Sequence, residues 1–302
     1  MMYLQLQTVG IAVLASIACV LPGIFLVLRG VALMSDAISH AVLLGIAGMF
    51  LLVHNLDSPL LLVGASLAGL ATVFLTETVI KTRRLKEDAA IGIVFPLFFS
   101  CGVILISLFA RDVHLDVDMV ILGEIAFAPF NRFIFLGYDL GPSALYTLGF
   151  NVLLNASFIY FFYKELMLSI FDYDFAYVIG YSPSLLYYGL MGLTSITAVS
   201  AFDVVGSIVV VALMITPPAT AYLLVNRLES MIWLSIFFSI LSSLVGYATA
   251  VYCDVSIAGS IATVSGLFFL LVFLFAPVKG LVAQIYYKRQ QKKKILQQLQ
   301  KN

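Results

Sequence analysis

Nine stretches of about 20 mainly apolar residues follow one another along this chain, each long enough to cross the hydrocarbon core of a bilayer. They fall at about 8–28, 32–53, 59–80, 89–110, 143–163, 184–202, 204–224, 230–252 and 256–277. In lipid, backbone N–H and C=O groups must be satisfied within the protein, so single runs of this length form helices. Composition agrees, with 62% of the 302 residues hydrophobic and 11% charged. Soluble domains carry about 45–50% and about 25% respectively, so a soluble two-domain enzyme is excluded. Disorder is excluded as well, because 24 Phe and 15 Tyr accompany few charges. The fold class is an all-α polytopic membrane protein with eight to nine transmembrane helices.

The 16 basic residues set the orientation. If the nine runs all cross, Arg29, the Lys81–Lys86 group, Lys164, Arg227 and the C-terminal cluster share one side, leaving Arg111 and Arg132 on the other. Basic loops stay in the cytoplasm, so the N-terminus is expected outside and the C-terminus inside. This split requires the run around Phe202, Asp203 and Val204 to be broken into two spans; a single span there would invert everything downstream. The first run has no Lys or Arg before Arg29 and so lacks the basic start of a cleavable signal, which predicts that it is retained. A transmembrane unit of 1–280 is expected, with a cytoplasmic segment at 164–182 and a basic tail at 281–302, solvated beside the anionic inner leaflet.

Pro22, Pro96 and the Pro217–Pro218 pair fall within or near the ends of spans, where they remove backbone donors and favour kinks. Cys19, Cys101 and Cys253 lie far apart with no metal-ligand spacing and are expected to pack as small apolar residues.

Charge inside a span costs about 2.5–3.5 kcal/mol at the bilayer centre on insertion scales, so each such residue needs a reason. Asp36, His40, Glu77 and Asp203 fall in or at the ends of spans. Asp36 and His40, four apart in SDAISHAV, share one helix face, and a carboxylate with an imidazole suits Mn²⁺, Fe²⁺ or Zn²⁺. One chain supplies two ligands; a symmetric dimer would bring two Asp and two His to its axis. On spacing alone, ligation and a buried Asp–His hydrogen bond locking two helices weigh equally. Glu77 is expected to pair with Lys81 at the helix end, and Asp203 to cap the seventh span. His114, Asp116 and Asp118 alternate in an outer loop that a solvated segment explains. In KELMLSIFDYDFAYVIGY, Phe171, Phe175 and Val178 recur at helical spacing, and Asp172 is placed to cap a short helix that would lie on the membrane or insert into a partner's groove. Phosphate-loop, dinucleotide, serine-hydrolase and HExxH motifs are missing, so any ATP hydrolysis belongs to another chain.

Four segments, taken together, resemble one family. LRGVALMSDAISHAVLLGIA at Leu28–Ala47, LKEDAAIGIVF at Leu85–Phe95, FDYDFAYVIG at Phe171–Gly180 and ALMITPPATA at Ala212–Ala221 are similar, in order, to motifs of the permease subunits of manganese/zinc/iron ABC importers. The resemblance covers most of residues 10–278. It implies a type II ABC-importer-like permease in a bacterial plasma (inner) membrane, paired with an identical or related permease. It further implies a cytoplasmic ABC ATPase docking near Phe171–Gly180 and an extracytoplasmic metal-binding protein. Asp36 and His40 match the family's metal-contacting Asp-x-x-x-His pair. The Mn, Zn or Fe ion is then cargo, with no permanently bound cofactor, and nothing calls for a nucleic-acid partner. Ser35 stands where the family usually has Gly, Pro218 replaces an Ala, and Asp203 takes a position often held by a neutral amide. The leading function is the permease of an ATP-driven divalent-metal importer. The rivals are a proton- or ion-coupled metal carrier using Asp36–His40 as a relay, and a non-transporting scaffold.

Overall fold

The apolar runs fold as helices whose ends are set by glycines and short polar turns. The computed structural model describes residues 2–55, 58, 60–109, 125–135, 138–277 and 279–284. The spanning helices are α1 (Met2–Arg29), α2 (Met34–Val53), α3 (Leu60–Lys81), α4 (Glu87–Phe109) and α5 (Ser143–Phe161). Two short helices follow, α6 (Tyr163–Phe171) and α7 (Tyr173–Val178), before α8 (Pro183–Val205), α9 (Ser207–Leu224), α10 (Leu228–Cys253) and α11 (Ile257–Phe275). Among the described residues, nine helices are long and apolar enough to cross a membrane. They coincide with the nine expected runs to within a few residues, apart from an earlier start to α1.

Pro22, Pro96, Pro217 and Pro218 all lie inside helices. Pro217 and Pro218 are both buried. Cys19 is fully buried, whereas Cys101 and Cys253 are exposed on the protomer, against the expectation that all three would pack inside.

The break between α8 and α9 falls three residues later than Asp203. Gly206 stands there at φ +82, a conformation in which glycine carries no Cβ penalty, and its N–H donates to the Phe202 carbonyl at 3.0 Å. Asp203 therefore lies inside the last turn of α8, exposed, and the cap of α9 carries no side-chain hydrogen bond. The expected capping role of Asp203 is incorrect, because glycine rather than the acid makes the turn. The division into two spans stands.

α1 is the central post, packed on α5, α8, α9 and α10, while α2 packs on α3, α4 and α8. The main core joins Ile11, Ala15, Met34, Ile38, Met191 and Leu213. A second cluster near the other end joins Phe25, Leu166, Leu190 and Met231. Between α2 and α3 the backbones touch: a Cβ on Gly45 would stand 2.3 Å from the Gly64 carbonyl oxygen, and one on Gly64 2.7 Å from that of Gly45. Without water to drive association, such small-residue contacts give membrane helices the close approach on which dispersion depends.

The two ends differ in character. Arg29, Glu77, Lys81 and Glu87 gather around one cavity with residues of α6 and the head of α8, which is the end that the basic residues assign to the cytoplasm. At the opposite end a 3-10 turn, Ala128–Phe130, packs on α1 and α5 and buries Pro129. It leads into an antiparallel hairpin, β1 (Arg132–Phe135) and β2 (Tyr138–Pro142), which the apolar pattern does not announce. There the hydrogen-bonded Arg132 guanidinium, and then the Gly141 N–H, hold the Asp139 carboxyl below the usual carboxylate range. The expected tail beyond residue 284, and the His114, Asp116 and Asp118 loop, lie outside the described residues.

Gly45→Ala or Gly64→Ala is expected to destabilise the protein by about 1–3 kcal/mol through overpacking, read as a lower melting temperature in detergent. Gly48→Ala, with nothing within 4 Å of the added carbon, is expected to leave it unchanged or higher.

Candidate metal centre

The head of α2 packs at the level of the middle of α3. A Cβ on Gly69 would meet Ile38 Cγ2 at 3.0 Å and Ser195 Oγ at 2.1 Å, so Ile38, Gly69 and Ser195 share one level. At 1.5 Å per residue, Gly69 lies about 14 Å along α3 from Leu60 and about 18 Å from Lys81, close to mid-span. Ile38 is only four residues into α2. The head of α2 therefore starts about 12 Å along α3 from the level of Lys81, and Asp36 and His40 lie on either side of the level of mid-α3.

This placement has an electrostatic logic. Asp36 sits in the first turn of α2, where the helix dipole favours negative charge, and the cap residue Leu33 offers no competing side chain. His40, one turn on, places Nε2 3.6 Å from Asp36 Oδ1. That separation is too long for a hydrogen bond, and both residues stand on the same helix, so the structural alternative of a bond locking two helices does not apply. The imidazole is held by α4 instead: its ring centroid lies 5.4 Å from that of Phe95 and 5.7 Å, edge-on, from that of Phe99.

The pair is not sealed. The side chains keep 41% exposure at Asp36 and 35% at His40, so they face an open surface of the protomer. Beside His40 is a cavity of about 10 Å³ closed by Phe99, Phe202 and Ser207, with room for about one water molecule. A carboxylate and an imidazole match the donor set of a borderline divalent metal, and His40 Nε2 and Asp36 Oδ1 lie on the same side of α2. Among the described residues no group of three or more His, Cys, Asp or Glu is placed to hold a metal.

At the cytoplasmic end, Glu77 Oε1 lies 3.8 Å from Lys81 Nζ, the expected helix-end pair. Asp172 caps α7 as its position suggests, its Oδ1 accepting from the Phe175 N–H at 3.0 Å. Around that cap Phe171, Phe175 and Val178 are exposed, Val178 to 81%, so the helix presents apolar side chains outward instead of covering its own protomer. Two features lie beyond what spacing conveys. One is the Phe95–Phe99 clamp on His40, whose i,i+4 aromatic spacing echoes that of the pair it holds. The other is Arg29, whose Nη2 donates to Ser169 Oγ at 3.2 Å.

The ABC 3 transport family model matches residues 1–276. The manganese transport system membrane protein MntD of Bacillus subtilis is 42% identical over 91% of this chain and 93% of its own. The zinc transport system membrane protein TroD of Treponema pallidum is 46% identical over 95% of this chain and 78% of its own. Among solved structures, PsaBC from Streptococcus pneumoniae in complex with Fab superposes at a TM-score of 0.71, with 32% identity over 90% of this chain and 91% of that one.

Asp172→Ala is expected to cost about 1 kcal/mol of local helix stability, seen as faster amide hydrogen exchange across 173–178. Asp172→Asn, which retains an acceptor, should leave exchange close to that of the unsubstituted chain.

Proposed function

The chain belongs to the ABC 3 transport family and is a multi-pass bacterial membrane permease, and from that premise we propose that it carries divalent first-row metal ions, manganese or zinc foremost, into the cytoplasm. The permease is not itself catalytic; ATP is hydrolysed on a separate cytoplasmic chain, and an extracytoplasmic protein delivers the ion. The observation that carries the reading is the Asp36–His40 pair, held on one face of α2 and open at the protomer surface.

Each protomer contributes a carboxylate and an imidazole. Two copies, or this chain and a related permease, meet with four such ligands around one ion. The ion sheds water as it enters and regains it on the cytoplasmic side. Four neutral or anionic donors offset the lost hydration, while a site without thiolates releases the ion to the cell. Phe95 and Phe99 keep the imidazole from turning away between transport cycles.

The segment 164–182 forms the ATPase contact. Its exposed Phe171, Phe175 and Val178 insert into a groove of the ATPase, and the Asp172 cap keeps α7 helical for that purpose. Closure of the ATPase pair moves this segment and opens the permease inward.

Asp36→Asn and His40→Ala are each expected to reduce Mn²⁺ and Zn²⁺ uptake into proteoliposomes at least about a hundredfold, the order of loss when a ligand or its orientation is removed. Assembly with the ATPase should be retained. Normal uptake by both variants contradicts the site. Uptake that continues without the ATPase but collapses with the proton gradient contradicts ATP-driven transport.

A further inference from the structure

Arg29 links the cytoplasmic helices to the start of the metal-bearing helix. It is the last residue of α1, five before α2 begins and seven before Asp36. The connection has little slack: Gly30 turns at φ +78, the Val31 N–H returns to the Leu26 carbonyl at 3.1 Å, and the Met34 N–H reaches the Val31 carbonyl at 2.9 Å. Where Arg29 goes, the head of α2 follows.

The guanidinium is held from two sides. Its Nη2 donates to Ser169 Oγ on α6, and its carbon stands 4.8 Å from the Tyr187 ring centroid on α8. Ser169 is buried and spends its own proton on the Leu166 carbonyl at 3.0 Å, so its oxygen faces Arg29 as an acceptor. Lys81 is taken by Glu77, and Arg29 Nε is buried without a hydrogen-bond partner. The charge thus rests chiefly on one serine oxygen and one aromatic face, a hold that is specific in direction yet weaker than a bidentate carboxylate pair. A cavity of about 320 Å³ opens beside it, lined by Glu77, Glu87 and Tyr173 among others, which leaves room for α6 to shift.

We propose that Arg29 is a positioning residue that transmits displacement of α6, the helix leading into the ATPase-docking segment, to the head of α2 and so to the Asp36–His40 pair. The inference rests on the transport reading above. Arg29 touches no ion; it acts through the turn that carries Asp36.

The test measures Mn²⁺ uptake and phosphate release on the same proteoliposomes holding the permease–ATPase complex, together with Mn²⁺ affinity of the complex by calorimetry. Arg29→Gln is expected to lower ions moved per ATP by about fivefold while affinity changes by less than about twofold, as for substitutions along a coupling network. Arg29→Lys, which keeps the charge over Tyr187, should recover part of the ratio. Ser169→Ala removes the acceptor with little change of volume and should lower the ratio in the same direction; it decides the matter if Arg29→Gln does not assemble. An unchanged ratio overturns the proposal, whether both rates persist or both fall together. So does a loss of Mn²⁺ affinity that accounts for the lost uptake. Failure of the unsubstituted complex to move Mn²⁺ or Zn²⁺ contradicts the transport reading instead, and is seen before any variant is made.

Discussion

A carboxylate carried on an apolar spanning helix costs free energy, and Asp36 in the first turn of α2 is where this protein bears that cost. That cost is offset at Asp36 by the positive end of the α2 dipole beside the charge. Starting α2 at the level of mid-α3 requires α1 to end at Arg29 and turn at once, which Gly30 permits through its positive φ. Holding α2 at that level in turn requires close contact with α3, which Gly45, Gly64 and Gly69 allow. The glycines and the tight turn together place Asp36 at the level of mid-α3.

The same geometry gives the pair its chemistry. A sealed Asp–His couple would be a structural bond; in the proposed reading, the half-open pair on a single helix face supplies two ligands of a larger shell. Open exposure of Asp36 and His40 makes sense when a second permease faces them, and the symmetry of such a pair multiplies two ligands into four. The aromatic clamp of Phe95 and Phe99 supplies the rigidity that a ligand on a lone helix lacks. At the cytoplasmic end, the exposed apolar side chains of α7 and the Arg29–Ser169 contact are the features on which the proposed docking and its transmission to α2 rest.

Much of this was legible in the residues. Hydrocarbon thickness sets the length of each span, so the nine helices could be read from apolar runs, and basic residues sorted their ends because Lys and Arg resist translocation. The Asp36–His40 face followed from helical spacing, and the Asp172 cap from its position before an apolar helix. Asp203 was misread because a short acid beside a break looks like a cap, when the backbone conformation there demanded Gly206. The β1–β2 hairpin was not visible in apolar periodicity. Nor was the level at which α2 meets α3, since hydropathy reports that a helix is apolar but not which turn of a neighbour it packs on. Contacts between distant segments, Arg29 with Ser169 and His40 with Phe99, depend on packing that no local pattern records.

The most direct measurement of the central claim is zinc K-edge X-ray absorption on the Zn²⁺-loaded, purified permease complex. Ligation by Asp36 and His40 from paired permeases predicts a first shell of nitrogen and oxygen at about 2.0–2.2 Å, with the outer scattering of imidazole rings. In His40→Ala that imidazole signal should vanish. A sulfur shell at about 2.3 Å, or an imidazole signal that survives the substitution, would contradict the assignment of the metal to this pair.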